Sequence, residues 1–397
     1  MNRDDFMMLD GSVIYLDNGA TTLKPKVLSE AISDYYNHYS ANAHRGDYDI
    51  SLKVDQAYEN TREQVKDFIN ARSSNEIVFT SGSTDALNKI VFGYFRYYLK
   101  SGDEVLITKS EHASNVLPWF ELADEIGVVV KYIDLDEHLK VTMDNVKKAI
   151  TDRTRVISLA HVTNVVGDVR PIKEIASYAH EHDILVVCDG AQSVPHMKVD
   201  VQDLGVDFLA FSAHKMCGPT GVGVIYGREE LFSMIHPIEF GGGMNSSFQY
   251  DGVRIYHELP SLLEAGTPNI AGVIGFGAVL SYLNDIGIDK INVYEHELRT
   301  YALELLKTVP NLIIYNEHSE GGIITVNMKD VFAQDLAVYL NKYHICVRAG
   351  NHCAKILKDE LGIKNTCRIS LYFYNTKEEV DTLVKVLSNP NLKNEIL

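Results

Sequence analysis

Short apolar runs alternate with longer amphipathic stretches along the first 230 residues of the chain. The apolar runs predict strands at 77–80, 104–108, 128–133, 155–160, 184–188, 208–211 and 223–226. The amphipathic stretches predict helices at 172–182 and from residue 82 to about 99, and Thr22 is a candidate cap for a helix that ends near Tyr39. Runs of Val, Ile and Leu without polar alternation are typical of strands covered on both faces. The pattern therefore predicts an α/β fold with a mostly parallel sheet.

A second, smaller unit is expected in the last third of the chain. The alternation breaks at 241–268, a glycine-containing stretch that we predict to be a long functional loop. A helix is predicted at 272–287. After it, strands are predicted at 322–327, 344–347 and 368–373, and helices at 333–342 and 377–387. We therefore divide the chain into an N-terminal segment, 1–14, that packs on the small domain, a large domain, 15–264, and a small α/β domain, 265–397.

Composition places the chain among soluble globular proteins, with 46% hydrophobic and 23% charged residues. The net charge of −17 disfavours a nucleic-acid or anionic-membrane partner. The N-terminus lacks the apolar core of a signal peptide, and the weakly polar stretch 271–280 is too short to span a bilayer. The five cysteines have no C-x-x-C spacing, which argues against disulfides and a zinc site. We expect a cytoplasmic protein without a bound metal.

Two of the predicted strands lead to residues of opposite charge. The strand 184–188 is followed by Asp189, and the strand 208–211 leads to Lys215. A lysine amine can hold the aldehyde of pyridoxal 5'-phosphate covalently, and a carboxylate can keep the pyridine nitrogen protonated, so that the ring accepts electrons. Alone, Lys215 could be a solvated loop lysine and Asp189 a turn cap. Together with the glycine-containing segment 82–84, which could bind a phosphate group, the pair predicts a pyridoxal phosphate site.

Several polar residues are placed to bind the rest of such a cofactor. Ser83 and Thr84 follow a predicted strand and open a helix, where backbone N–H groups and two hydroxyls can hold a phosphate, although a simple helix cap uses the same residues. Ser212 and His214 could add phosphate donors. Gln192 could reach the cofactor hydroxyl.

His112 follows the predicted strand 104–108. In folds that bind this cofactor, a flat side chain at this place stacks on the ring, and an imidazole there can also move a proton during turnover. The alternative is an ordinary surface histidine, since the chain has fifteen.

Cys353 lies in a glycine-containing loop, whereas the other cysteines have apolar or strand neighbours. Arginine, histidine and lysine surround it, and positive neighbours favour the nucleophilic thiolate. Fifteen residues later, Arg368 begins a predicted strand and could grip a carboxylate with two hydrogen bonds. A thiol beside a carboxylate clamp predicts an amino-acid substrate that is attacked at its side chain.

The motifs together resemble those of the cysteine desulfurases of the class V aminotransferase group, along essentially the whole chain. They occupy 16–22, 43–46, 80–84, 161–167, 189–193, 212–215 and 264–269. The loop 348–354 resembles that of the second, SufS-type subgroup, with Asn351 where histidine is common. The resemblance implies a fold type I transferase that uses pyridoxal phosphate to convert L-cysteine to L-alanine. A persulfide on Cys353 would then pass to a Suf-type acceptor protein for iron–sulfur cluster assembly.

The resemblance also implies a role for each candidate residue. Lys215 would bear the cofactor, Cys353 would receive the sulfur and His112 would stack on the ring. Asp189 would contact the ring nitrogen and Gln192 the ring hydroxyl. The cofactor phosphate would be bound by Ser83, Thr84, Ser212 and His214, and by Thr267 of the neighbouring subunit in a homodimer. The substrate would be bound by Asn164, Arg368, His44 and Arg348.

Three alternatives stay open at this point. A selenocysteine lyase would use the same pocket and need the thiol less, because selenium leaves more easily. A class V aminotransferase would need a second, amino-accepting substrate but not Cys353. An inactive scaffold of a sulfur-transfer complex is disfavoured by the intact Lys215, Asp189 and Cys353.

Overall fold

The computed structural model describes residues 2–44 and 46–396 and confirms the α/β class. Its strands are β1 (Ile14–Tyr15), β2 (Ile77–Thr80), β3 (Glu104–Thr108), β4 (Val129–Ile133), β5 (Thr154–Ala160), β6 (Leu185–Asp189), β7 (Phe208–Ser212), β8 (Gly223–Gly227), β9 (Asn245–Phe248), β10 (Arg254–Tyr256), β11 (Leu312–Ile314), β12 (Ile323–Met328), β13 (Ile345–Cys346), β14 (Arg348–Gly350) and β15 (Thr366–Ser370). Its helices are α1 (Lys26–His38), α2 (Asp49–Phe68), α3 (Ser83–Ile90), α4 (Arg96–Tyr98), α5 (Leu117–Ile126), α6 (Met143–Ala149), α7 (Ile172–His180), α8 (Val201–Leu204), α9 (Glu229–Phe232), α10 (Ile270–Ile286), α11 (Ile288–Leu306), α12 (Ala333–Asn341), α13 (Lys355–Glu360), α14 (Lys377–Leu387) and α15 (Leu392–Ile396).

The large sheet has the strand order β2-β8-β7-β6-β5-β3-β4. Neighbours from β7 to β4 are parallel, whereas β8 is antiparallel to both β2 and β7. Leu106 of β3 belongs to a hydrophobic core that also includes residues of α2, α7 and α10, while Val105 and Ile107 belong to a second core that includes residues of α3 and α5. Because helices cover both faces, the middle of β3 is apolar at each successive position from Val105 to Ile107. The prediction of a mostly parallel sheet is therefore confirmed.

The small sheet is antiparallel, with the order β11-β12-β15-β14, and α11, α12 and α14 cover it. The N-terminal strand β1 pairs in parallel with β13, with Ile14 opposite Ile345. The first strand of the chain therefore pairs with a strand of the C-terminal part, and the large sheet is formed by the strands that follow. The domain limits given above stay predictions.

The apolar helix α10 is mostly buried and packs on α1 and α2. Among the described residues, no single helix is long and apolar enough to cross a membrane. Helices α10 and α11 meet that criterion only as a pair, and they are bent by 70° at their junction.

Some predicted elements differ from the observed ones. Helix α1 starts after Pro25, since proline disfavours helical backbone in the preceding residue. Thr22 does not cap it: its hydroxyl donates to the His214 carbonyl and accepts from the Cys217 amide. The helix predicted at 82–99 is interrupted by a π-helical segment, Val91–Phe95. The predicted loop 241–268 contains the β9–β10 hairpin, and the strand predicted at 368–373 ends at Ser370 in β15.

Candidate active site

Asp189 and Lys215 lie at the same edge of the large sheet. Strands β6 and β7 are parallel neighbours, with Asp189 opposite Ala210, so both carboxyl ends meet there. A single helical turn after β7 carries Lys215 over this edge, and both side chains line one narrow cleft. Burial raises the pKa of Asp189 and lowers the pKa of Lys215 to about 8. The site thus combines a buried carboxyl group with an amine that is readily deprotonated.

The start of α3 forms a polar cradle beside Lys215. The Ser83 amide donates to Ser212 Oγ at 2.7 Å, and Ser212 Oγ lies 3.0 Å from Ser83 Oγ. Helix α3 begins after Gly82 without a side-chain cap, so its first N–H groups face the cavity edge. A Cβ atom on Gly223 of β8 would lie only 2.4 Å from Gly82 Cα, so glycine is required for this close approach of backbones. Hydroxyls and N–H groups at a helix start are a suitable anion site.

His112 is held as a neutral ring at the mouth of this cradle. Its Nδ1 accepts a hydrogen bond from the Ser114 backbone amide at 3.1 Å, which places the ring proton on Nε2. Burial, with smaller contributions from Lys215 and Arg348, lowers the pKa of His112 to about 4. The Ser114 hydroxyl also bonds Thr84 Oγ1 at 2.7 Å, which links the ring to the start of α3. The role of Ser114 was not predicted from the sequence, because its contacts with His112 and Thr84 depend on the tertiary fold.

A fully buried ion pair supports the segment that carries His112. Arg170 contacts Glu111 directly, and its guanidinium also donates to Thr108 Oγ1 and Ser110 Oγ at 2.8 Å. Glu111 in turn accepts from the Ala160 amide of β5 at 2.8 Å. The pair ties the end of β3 to β5. Hydrophobic periodicity gave no signal for it, because both charged residues lie outside the periodic segments.

Gln192 lies between Asp189 and the N-terminal segment. Its Nε2 donates to the Gly19 carbonyl at 2.8 Å, and the residue is buried at the wall of the cleft. A Cβ atom on Gly19 would lie 3.1 Å from the Arg368 guanidinium carbon, so the glycine also makes room for that arginine.

Arg368 is buried in β15 and is already engaged within the chain. It donates to the Asn164 carbonyl at 2.9 Å and to Asp17 Oδ1 at 3.1 Å. Its Nε atom has no hydrogen-bond partner among the described residues. Arg348, on the neighbouring strand β14, lines one cavity together with Arg368 and Lys215. Asp17 was not predicted as a partner of Arg368, since the two residues are 351 positions apart in the sequence.

Cys353 lies on an exposed but well-anchored loop between β14 and α13. His352 and Cys353 both have left-handed backbones, with φ of 55° and 57°, a conformation that costs about 1–2 kcal/mol per residue for side chains with a Cβ. Asn164 Nδ2 donates to the His352 carbonyl at 2.7 Å, and the Ala113 amide donates to the Cys353 carbonyl at 2.8 Å. Asn351 Oδ1 accepts from the Cys353 amide at 3.0 Å. These bonds hold the loop in a strained backbone conformation.

The predicted residues meet around a cavity of about 400 Å³, a size suited to a small organic ligand. Its walls include Ser83, Thr84, His112, Asn164, Ser212, His214, Lys215, Arg348 and Arg368. The narrow cleft with Asp189 and Gln192 shares Lys215 and His112 with this cavity. Cys353 directly follows His352, another wall residue.

Besides Cys353, which follows a wall residue, two predicted residues lie outside the cavity and the cleft in their own chain. His44 contacts Glu59 at 3.3 Å on α2, and Thr267 is exposed. Arg45, in the motif at 43–46, lies outside the described residues. The roles of His44 and Thr267 stay predictions, which depend on a second subunit for Thr267.

The side chains present fit pyridoxal phosphate. Lys215 offers an amine for the aldehyde, and Asp189 is a buried carboxyl group that forms no ion pair within the described part of the chain. The cradle of Ser83, Ser212 and Thr84 suits a phosphate, and the neutral ring of His112 can lie flat on an aromatic face.

Comparison with known proteins decides the family. The family model described as aminotransferase class-V matches residues 14–383. The chain belongs to the class-V aminotransferase family. It is 44% identical to a probable cysteine desulfurase of Halalkalibacterium halodurans, over 96% of this chain and 95% of that protein. Its fold matches the apo cysteine desulfurase of Thermococcus onnurineus NA1 with a TM-score of 0.94 and 37% identity, covering 99% of this chain and 97% of that one. The cysteine desulfurase CsdA of Escherichia coli, in an S-sulfonic acid form, matches with a TM-score of 0.93 and 35% identity, covering 100% and 98%.

Membership of the class-V aminotransferase family confirms several predictions. It confirms the fold type I architecture, the pyridoxal phosphate cofactor and the assignment as an enzyme related to cysteine desulfurases. The SufS-type subgroup, the dimer and the individual residue roles stay predictions.

Proposed function

We propose that this class-V protein is a cysteine desulfurase that moves sulfur from L-cysteine to Cys353. The observation that carries the proposal is the anchored, exposed loop of Cys353, which borders a cavity that also contains Lys215 and Arg348. An aminotransferase needs the amine and the arginines but has no use for a thiol at this place. The relatives named as probable cysteine desulfurases support the same conclusion.

The arginines and Lys215 would prepare the substrate. Arg348 and the Nε of Arg368, which has no hydrogen-bond partner in the described part of the chain, would donate to the substrate carboxylate. The lowered pKa of Lys215 lets its neutral amine take the α-proton near neutral pH. When bound, pyridoxal phosphate supplies an electron sink for the electrons left at the α-carbon. Asp189 would stabilise the positive charge on the ring nitrogen.

Cys353 would then perform the sulfur transfer. Its thiolate attacks the substrate sulfur, so that an S–S bond forms while the C–S bond breaks. The β-carbon keeps the electron pair of the broken bond and gains a proton, and Lys215 returns the α-proton, which gives L-alanine and a persulfide on Cys353. The neutral ring of His112, with its proton on Nε2, is placed to pass a proton within the cavity.

The persulfide must leave Cys353 before the next turnover. We propose that the thiol of a Suf-type acceptor protein takes the outer sulfur and leads it to iron–sulfur cluster assembly in the cytoplasm. The exposure of Cys353 supports transfer to another protein, because an enclosed thiol could not reach the acceptor.

The proposal is tested by incubating the cofactor-loaded protein with L-cysteine. We expect about one alanine per active site without a reductant and continuous alanine and sulfide formation with dithiothreitol. The Cys353→Ser variant should bind the cofactor normally and form no alanine from cysteine. Undiminished sulfur release by this variant would refute the proposal. Alanine formation that requires a keto acid would instead identify an aminotransferase.

A further inference from the structure

Lys358 is a buried lysine in α13, the helix that directly follows the Cys353 loop. The residue is 1% exposed. Its ammonium donates to Thr366 Oγ1 at 2.7 Å and forms no ion pair within residues 2–44 and 46–396. Burial lowers the pKa of Lys358 to about 8. A buried cation without a carboxylate partner is unfavourable for stability, so its position calls for an explanation other than stability.

Thr366 connects this ammonium to the residue before the nucleophile. His352 Nε2 lies 3.1 Å from the Thr366 carbonyl oxygen and 3.0 Å from Thr366 Oγ1. A carbonyl oxygen only accepts hydrogen bonds, so the proton of the His352 ring must be on Nε2. Burial and then the positive charges of Arg368 and Lys358 lower the pKa of His352 to about 2, which keeps the ring neutral. The ring is therefore fixed in one tautomer and one orientation on β15.

The fixed ring determines how the nucleophile is presented. His352 and Cys353 are consecutive left-handed residues, so a rotation of His352 would turn Cys353 with it. The backbone of the pair is held from the large sheet by Asn164 and Ala113, whereas the ring is held from the small sheet by Thr366. We propose that Lys358 and Thr366 are positioning residues that direct the Cys353 thiol through the ring of His352. This inference deepens the proposed desulfurase function and rests on it.

Four variants separate positioning from general damage. Thr366→Val removes the hydroxyl and keeps the shape, while Thr366→Ser keeps the hydroxyl. Lys358→Met removes the buried ammonium, and Lys364→Met removes an exposed lysine close to Thr366 as a matched control. Each cofactor-loaded variant is assayed for alanine formation from L-cysteine. Each is also assayed for exchange of the α-proton of L-alanine in D₂O, which needs Lys215 but not Cys353.

Loss of positioning should separate the two assays. We expect Thr366→Val and Lys358→Met to form alanine roughly tenfold to a hundredfold more slowly, with proton exchange within about twofold of the parent. Thr366→Ser and Lys364→Met should resemble the parent in both. Parent-like alanine formation by Thr366→Val and Lys358→Met, or an equal loss of proton exchange, would overturn the inference.

A measurement on the cofactor-free protein needs no activity. Lys358→Met should melt at the same or a higher temperature than the parent, because a buried charge has been removed. In Thr366→Val, Cys353 should be alkylated by iodoacetamide about fivefold faster than in Thr366→Ser, because the loop is released. Equal alkylation rates would contradict the positioning role. If the parent forms no alanine from cysteine, the proposed function fails, while the alkylation rates still decide the positioning.

Discussion

At the residue scale, the chemistry of the site depends on burial, which lowers the pKa of Lys215 to about 8. Lys24 is a suitable comparison, because its ammonium donates to the His214 carbonyl at 2.7 Å and burial lowers its pKa to about 8 as well. Only Lys215 follows a strand that pairs with the strand of Asp189. We expect borohydride reduction of the cofactor-loaded protein, followed by peptide mapping, to find the cofactor on Lys215. The Lys215→Ala variant should lose the covalent attachment, and a tag on Lys24 would contradict the assignment.

The pKa of Lys215 also predicts how cofactor attachment depends on pH. The neutral amine is the reactive form, and with a pKa lowered to about 8 its fraction rises about tenfold per pH unit below that value and then levels off. His112, with a pKa lowered to about 4, stays neutral in this range and does not affect the profile. The rate at which Lys215 becomes covalently attached to cofactor added to the apo-protein, followed by the change in cofactor absorption, should therefore level off near pH 8. A rate that still rises beyond pH 10 would contradict the burial of Lys215.

The residues that could be predicted from the sequence are those whose own side chain carries a reactive group. Lys215, Asp189 and Cys353 carry reactive groups at strand ends or in a loop, and the structure places Lys215 and Asp189 in one cleft. Ser114, Asp17 and the pair of Thr366 and Lys358 were missed. These residues act through contacts with partners set by the tertiary fold, and neither periodicity nor composition encodes such contacts.

At the scale of elements, the approach of β8 to the start of α3 shapes the cradle. In Gly223→Ala, the added methyl group would meet the Gly82 backbone and move the start of α3. We expect a loss of about 1–3 kcal/mol in unfolding free energy and faster loss of cofactor on dialysis. Gly241→Ala is the matched control, since its nearest neighbour would be 3.7 Å away. Equal cofactor retention in both variants would show that this contact does not shape the cradle.

Strands were easier to predict than the connections between them. The continuous apolar runs gave β2 to β8 within a few residues, because burial on both faces leaves a strong local signal. The π-helical segment Val91–Phe95 and the hairpin of β9 and β10 were not foreseen. The first differs from an α-helix only in backbone hydrogen bonding, and the second carries exposed residues without clear alternation.

At the scale of the whole molecule, the chain closes on itself over long sequence distances. Strand β1 pairs with β13, and Asp17 reaches Arg368 in the same region. A sequence pattern predicts that a strand exists but does not name its partner, so this connection could not be foreseen. It brings the N-terminal segment, the small sheet and the edge of the large sheet together at the cavity.

Thr267 is exposed in its own chain, as expected of a residue that contacts the cofactor of a neighbouring subunit in a dimer. If each site borrows Thr267 from the neighbouring chain, Lys215→Ala and Thr267→Ala subunits should complement each other. In a mixed dimer, one site carries both changes and the other is intact, so partial activity should return when the two inactive proteins are mixed. A fully active monomer in sedimentation would contradict the shared site.

The most direct test of the account follows the sulfur itself. The cofactor-loaded protein is given L-cysteine labelled with ³⁴S without a reductant, and its peptides are analysed by mass spectrometry. The account predicts one added heavy sulfur on Cys353, none on the buried Cys188, Cys217 and Cys367 or the half-buried Cys346, and an equal amount of alanine. Alanine formation without labelled sulfur on Cys353, or with the label on another cysteine, would contradict the central claim.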